Sequence, residues 1–372
     1  MCGFVVTVSA TDYRPDPVML SRMTDLIAHR GPDDRGLFTE GRVGLGFRRL
    51  SILDLAPSGH QPMESADGRY VIVFNGEIYN YVELRAELQA LGHQFRSTGD
   101  TEVLLAAYCQ WGRGCLSRLN GMWAFAIYDR MERRLFGSRD RFGVKPLFVF
   151  QDARGTVLTS EIKALRDSGY THLEVDTQAI ADHLLEGHID QSDRTYYKGV
   201  RRVGAGTAFE IDAAGELREY RYWSLQEAAG QLDEPASPAD EYAKLFEDAV
   251  KLRMRADVPV GVLLSGGLDS TSIICSMARI GAASDPAFDL NAFCYMSPQY
   301  DERAYIDDTL KQTGARLWRL QDDPRDLWAD IERHLWFQDE PVHSFTSVIG
   351  YQLMGLARSR GVKVLLNGQG AD

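Results

Sequence analysis

Two stretches of the sequence carry residue types that could do covalent chemistry. The first is Met1-Cys2-Gly3-Phe4. A small residue at position 2 permits removal of the initiator methionine, which would leave Cys2 carrying the free α-amino group. An α-amine titrates at about 7.7–8.0, so it can take the thiol proton near neutral pH without help from a histidine, and the thiolate is the nucleophile. Position alone leaves Cys2 readable as just one of five thiols. The second stretch is Ser265-Gly266-Gly267-Leu268-Asp269-Ser270, set between the apolar run GVLL and a helix. Two glycines let the backbone hug a ligand, and the helix N-terminus presents free N–H groups to an anion, so phosphate or pyrophosphate is the expected occupant. Asp269 would hold Mg²⁺ against those phosphates. There is no GxxxxGK, so this is not a Walker-type loop.

Other polar residues stand where they need a reason. Arg48 and Arg49 lie in the run VGLGFRRLSILDL; alternation sends one to solvent and leaves the other facing inward, in need of an anion. Asn75-Gly76, tipping the apolar run YVIVF, reads as a tight turn. Asp100, before the helix that starts at Thr101, reads as its N-cap.

The elements that must position these groups fall into two parts. Short strands dominate up to Trp223: Gly3 to Val8, Val43 to Leu55, Tyr70 to Phe74, WAFAIYD, RRLFGSRD, KPLFVFQ and a hairpin turning at Ala213-Ala214-Gly215. HRGPDDRG reads as a loop, and helices are expected at Tyr81–Leu91 and Thr101–Trp111. Residues 224–238 have few large apolar side chains and two prolines, the composition of a linker. From Ala239 helices and strands alternate as in a parallel α/β sheet: strands at Val258–Leu264, Leu290–Met296 and Val362–Leu366, with helices between them. The domains are therefore 1–223, a linker at 224–238, and 239–372.

Net charge of −12 argues against nucleic acid or an anionic membrane as the main partner. No apolar run approaches the roughly 20 residues that span a bilayer, and no signal peptide is recognisable, which leads to the expectation of a cytoplasmic protein. Cys2, Cys109, Cys115, Cys275 and Cys294 form neither a CxxC pair nor a disulfide pattern, and His183 and His188 in DHLLEGH are off the spacing of metal ligands.

These residues resemble known families. SGGLDS is similar to the pyrophosphate loop of ATP pyrophosphatase-type enzymes, and MCGF resembles the N-terminus of class II glutamine amidotransferases. Together they resemble the glutamine-hydrolysing asparagine synthetases. HRGPD, RLSILDL, FNGEIYN, TGDTEVLL, LNGMWAFAIYD, RDRFGVKPL, EIKAL and VPVGVLLSGGLDS extend the resemblance over essentially the whole chain. It implies an α+β N-terminal αββα sandwich of the Ntn-hydrolase type, then an α/β parallel-sheet domain, Rossmann-like and of the adenine nucleotide alpha hydrolase type, incomplete at its C-terminus. It further implies that Cys2 attacks the glutamine side-chain amide while Asn75 and Gly76 receive the oxyanion. Arg49 would pair with the substrate α-carboxylate, Asp100 with Glu77 would take the α-ammonium, and Leu50, Ile52 and Gly99 would complete that site. Ammonia would pass to a second site. There Ser265, Gly266, Gly267 and Ser270 would hold pyrophosphate, Leu263, Tyr295, Asn367 and Gly368 would complete the ATP site, and Asp269 and Asp372 would bind Mg²⁺. Aspartate would be adenylylated on its β-carboxylate and then amidated. A homodimer is a family expectation.

The chain departs from the family pattern in one segment. The usual Ser-Gly-Glu-Gly-Ala/Ser-Asp reads Asn367-Gly368-Gln369-Gly370-Ala371-Asp372, which replaces a hydroxyl and a carboxylate by amides and is compatible with a different acceptor acid. The sequence also ends just after this segment, where a truncated chain is the expectation. A related amidotransferase acting on another carboxylate, a stand-alone glutaminase and a nucleotide-responsive scaffold are the competing readings.

Overall fold

A computed structural model of the chain describes residues 1–10, 14–187, 192–232, 235–285, 288–296, 301–320, 324–342 and 344–369. The chain divides into two compact units, Met1–Leu232 and Asp233–Asp372. The division falls inside the expected 224–238 linker, whose first part folds as a short helix, Leu225–Ala229.

The first unit is built from β1 (Gly3–Ser9), β2 (Asp34–Glu40), β3 (Val43–Arg49), β4 (Met63–Glu64), β5 (Tyr70–Ile78), β6 (Gly121–Asp129), β7 (Arg134–Arg139), β8 (Phe148–Asp152), β9 (Gly155–Thr159), β10 (Val200–Arg202), β11 (Thr207–Ile211) and β12 (Leu217–Arg221). They form two six-stranded sheets, ordered β10-β8-β9-β1-β3-β2 and β12-β11-β7-β6-β5-β4. Every pairing in them is antiparallel. β1 explains why a layer lies on each face. Phe4, Val6 and Val8 point to one side and join Val71, Val73, Ala124 and Ala126 of the other sheet in a shared core. Val5 points to the opposite side, where helix Pro17–Leu26 covers it with Leu20 and Met23. The second sheet is covered outside by Leu84 and Leu88 of helix Tyr81–Ala90 and by Val103, Leu104 and Ala107 of helix Asp100–Trp111. Alternating apolar residues buried on both faces thus give the αββα sandwich.

Three sequence expectations are corrected here. Asn75-Gly76 is not a turn at a strand tip: β5 runs on to Ile78, with Asn75 opposite Ala124 and Gly76 opposite Trp123. The dipeptide is held extended by its partner strand, and Gly76 is required because a Cβ there would lie 2.3 Å from the Met122 carbonyl oxygen. Asp100 is the first residue of its helix and Gly99 the N-cap. HRGPDDRG is only partly a loop, since β2 begins at Asp34.

The second unit carries β13 (Val260–Leu263), β14 (Asn291–Tyr295), β15 (Arg316–Leu320) and β16 (Val364–Leu366) in the order β15-β14-β13-β16. All its pairings are parallel. The RLWRL strand β15 has no counterpart in the sequence reading, because its arginines fall three apart instead of two. Val262, Ala292 and Cys294 are buried among Ile273, Ile274 and Met277 of helix Leu268–Ser284, so the central strands β13 and β14 are near-continuously apolar.

Candidate active sites

Cys2 sits at the entry of β1, at the rim of the core between the two sheets. Its thiol donates to the Leu50 carbonyl at 3.6 Å, and the Leu50 N–H donates to the sulfur at 3.4 Å. Burial pushes the thiol up, while the terminal ammonium and the Leu50 N–H pull it down. The terminal ammonium of Met1 is pushed down to about 5, by burial above all. An amine at this depth is therefore a free base at neutral pH.

The end of β5 supplies donors without acceptors. Trp123 spends its N–H and C=O on Asp140, so opposite it the Gly76 backbone groups point away from β6. On that open side the Phe74 N–H is taken by Gln61 Oε1 at 2.7 Å and the Ile78 N–H by Asp100 Oδ2 at 2.8 Å. No partner for the Gly76 N–H between them is found among the described residues. Asn75 points to the same face as Val71 and Val73; it is 1% exposed, and neither of its amide atoms has a partner among the described residues. A buried amide left in this state is costly unless something else will occupy it.

A pocket beside these groups is lined by Cys2, Arg49, Leu50, Ile52, Gly76, Glu77, Gly99 and Asp100, together with side chains of the 53–63 loop. It joins eight of the nine residues expected to bind or process glutamine; the ninth, Asn75, is buried and does not line it. Arg49 is the inward-facing arginine, at the C-terminal end of β3, and Arg48 pairs with Asp25. The Arg49 guanidinium donates to Ala56 O at 2.9 Å and to Asp54 O, and it fills the space that a Cβ on Gly59 would take. Asp54, with φ of 53°, ties the loop together by accepting from Ala56 N, Ser58 Oγ and Thr98 N. Burial raises the Asp100 carboxyl to about 6 against the opposing pull of the Ile78 N–H and of Arg49. One fixed cation and one carboxylate thus face a narrow cavity, an arrangement suited to a zwitterion.

The sequence reading assigned no role to a charged cluster under the nucleophile. Arg30 Nε donates to the Cys2 carbonyl at 2.8 Å, and its Nη1 donates to Glu161 at 2.8 Å. Glu161 also takes His29 and Lys163, and those hydrogen bonds and charges hold it down at about 2 despite burial. Arg30 lies so close over Gly3 that a Cβ there would be 2.7 Å from its Cδ. HRGPD and EIKAL contained these residues, but no local pattern joins positions 131 apart.

In the second unit Ser265-Gly266-Gly267 turns β13 into its helix, with φ of 81° at Gly266. Ser265 Oγ and Ser270 Oγ are 3.1 Å apart, and the Ser265 N–H donates to Ser270 Oγ at 3.2 Å. A cavity of about 530 Å³ opens here, lined by Leu263, Ser265, Gly267, Asp269, Ser270, Tyr295, Asn367 and Gly368. Gln369, Glu302 and Thr346 also line it, whereas Gly266 does not. Gly368 packs against Asp269, where a Cβ would come within 2.7 Å. Asp372 lies outside the described residues, as does His188. No group of three or more metal-ligating side chains is found among the described residues. None of their helices is long and apolar enough to cross a membrane.

The glutamine amidotransferase domain family matches residues 1–223, and the asparagine synthase family matches residues 241–372. A Mycobacterium tuberculosis relative is 37% identical over 100% of this chain and 59% of its own length. A Methanocaldococcus jannaschii relative is 34% identical over 95% of this chain and 71% of its own. Asparagine synthetase [glutamine-hydrolyzing] 1 of Bacillus subtilis is 33% identical over 100% of this chain and 58% of its own. The chain thus spans about three-fifths of the length of the first and last of these. From these matches, and from the two sites they cover, the chain belongs to the glutamine-hydrolysing asparagine synthetase family.

Proposed function

We propose that the first unit hydrolyses glutamine at Cys2 and that the second activates an acceptor carboxylate with ATP, the ammonia from the first amidating the acceptor to give asparagine from aspartate. The observation that carries this reading is the Cys2 pocket, which brings the thiol, Arg49, Gly76 and Asp100 together around one cavity. Freed of Met1, the Cys2 amine accepts the thiol proton, and the thiolate attacks the glutamine Cδ. The Asn75 side chain and the Gly76 N–H take the oxyanion, Arg49 the α-carboxylate, and Asp100 with Glu77 the α-ammonium. Collapse of the tetrahedral adduct expels ammonia, protonated by the same amine, and water then hydrolyses the glutamyl thioester to glutamate.

At the other site Ser265, Gly267 and Ser270 bind the phosphates of ATP, and Leu263 and Tyr295 bound the nucleoside end of the cavity. The residues present suit Mg²⁺, because this ion is commonly held by one or two carboxylates plus phosphate oxygens, and Asp269 is an exposed carboxylate on the cavity wall beside the loop. Asp269 and Asp372 would hold it, and it would neutralise charge on the phosphates as pyrophosphate leaves. Asn367 and Gln369 on the same wall favour a second reading, in which the acceptor is a carboxylic acid other than aspartate.

The test is to incubate the purified protein with glutamine, ATP, Mg²⁺ and aspartate and to quantify glutamate, AMP and asparagine. Equal amounts of AMP and asparagine are expected. Glutamate without AMP would sink the aspartate assignment.

The pH dependence of glutamine binding reports on Asp100. Its carboxyl titrates at about 6 in the folded protein, and protonation removes the anion that meets the α-ammonium. Calorimetric Kd for glutamine, measured on Cys2→Ala so that no turnover intervenes, is expected to be flat above pH 7 and to weaken by about tenfold per unit well below 6. Asp100→Asn should bind at least about tenfold more weakly at pH 7.5, with no such dependence. A Kd that stays level down to pH 5 would remove Asp100 from the site.

A further inference from the structure

Two lysines are buried in the first unit, and they are treated differently. Lys163 is 0% exposed and ion-paired to Glu161. Lys145 is 5% exposed and has no ion pair among the described residues; the one hydrogen bond of its side chain there runs from Nζ to the Met1 sulfur at 3.4 Å. A thioether is a poor acceptor, and an ammonium withdrawn from water without a better one is expensive to keep.

The surrounding loop is built to hold Lys145 in place regardless. Asp140 accepts from the N–H groups of Phe142, Val144 and Lys145 at 2.9–3.1 Å. Arg139 donates to Lys145 O at 2.7 Å and to Val203 O at 2.6 Å. The charged groups around Nζ are Glu77 at the end of β5, Arg30, Cys2, the terminal amine and Asp140. Burial lowers the ionisation of Lys145 itself, and Glu77, Asp140 and a Cys2 thiolate each act to restore it.

We propose that Lys145 is the cation that serves the Cys2 nucleophile. Once Met1 is cleaved, Nζ loses its thioether acceptor and faces the new α-amine and the thiol. Its charge keeps the amine a free base, ready to receive a proton, and stabilises the thiolate that remains when the thiol proton passes from Sγ to that amine, while Lys145 keeps its own. This inference rests on the reading of Cys2 as the nucleophile with a free α-amino group.

The test uses the full chain with Met1 removed, verified by intact mass, as wild type, Lys145→Met, Lys145→Gln and Lys145→Arg. The readout is the rate of Cys2 alkylation by iodoacetamide from pH 5.5 to 9.5, followed by peptide mapping. It needs no glutamine. Both neutral variants are expected to move the alkylation midpoint up by about one unit and to slow the reaction at pH 7 by about tenfold, whereas Lys145→Arg stays within about threefold of wild type. Glutaminase kcat should fall in parallel, with KM for glutamine within about twofold. Superimposable alkylation profiles for wild type and the neutral variants would overturn the proposal. So would an arginine variant, equally folded by thermal melting, that behaves like the neutral ones. If wild type shows the Lys145-dependent profile but releases no glutamate, the glutaminase reading fails and the role of Lys145 stands. If it releases glutamate and the profile does not move, the reverse holds.

Discussion

Replacing Cys2 with Ala is expected to abolish glutamine hydrolysis, a loss of about 10⁴-fold or more in kcat, while synthesis supported by added ammonia continues at its wild-type rate. The asymmetry follows from the architecture. Every group proposed to act on glutamine belongs to unit Met1–Leu232, and the cavity at Ser265–Ser270 belongs wholly to the other unit. Ala at position 2 still permits removal of Met1, so the α-amine remains and only the sulfur is lost. Because Leu50 contacts that sulfur through its N–H and carbonyl, at 3.4 and 3.6 Å, the substitution should leave the fold intact. The measurement is glutamate release with and without ammonium chloride. Residual glutamate release above about 1% of wild type would place the nucleophile elsewhere, and loss of ammonia-supported synthesis would mean that Cys2 matters to the second site as well.

What the sequence makes visible here is what is local. Cys2 is legible because its base is its own amine, and SGGLDS because strand, loop and helix N-terminus are consecutive. The packed β1 is legible too, from a short, β-branched and largely apolar run. Asn75-Gly76 was found for its letters but misplaced, since an Asn-Gly pair says turn until Ala124 and Trp123 are known to lie opposite it. Alternation alone leaves Arg48 and Arg49 undivided and only the resemblance singles out Arg49, whose loop partners at Asp54 and Ala56 depend on a chain reversal that no periodicity announces. The largest omission is the set of charges around the N-terminus. Arg30, Lys145 and Glu161 come to the N-terminus from three distant segments, so their convergence is a property of the fold and not of any window of sequence.

Asn75→Ala is expected to lower glutaminase kcat by about 10²–10³-fold, the equivalent of about 2.7–4 kcal/mol of transition-state stabilisation, with KM for glutamine nearly unchanged. In the resting protein the Asn75 side chain, 1% exposed, makes no hydrogen bond among the described residues through either its amide nitrogen or its oxygen. Truncation breaks no hydrogen bond in the resting protein and removes an unsatisfied amide, so thermal stability should be unchanged or higher, by up to about 1 kcal/mol. A structural asparagine would behave in the opposite way, losing stability first and activity only as a result. The neighbouring donor cannot be probed as simply, because any side chain at Gly76 would collide with the Met122 carbonyl. A chemical denaturation curve and a kcat/KM series on the same preparation therefore separate the two roles. A destabilised Asn75→Ala that retains wild-type kcat would show that the amide has a structural acceptor in solution, and the oxyanion would then have to be held by Gly76 alone.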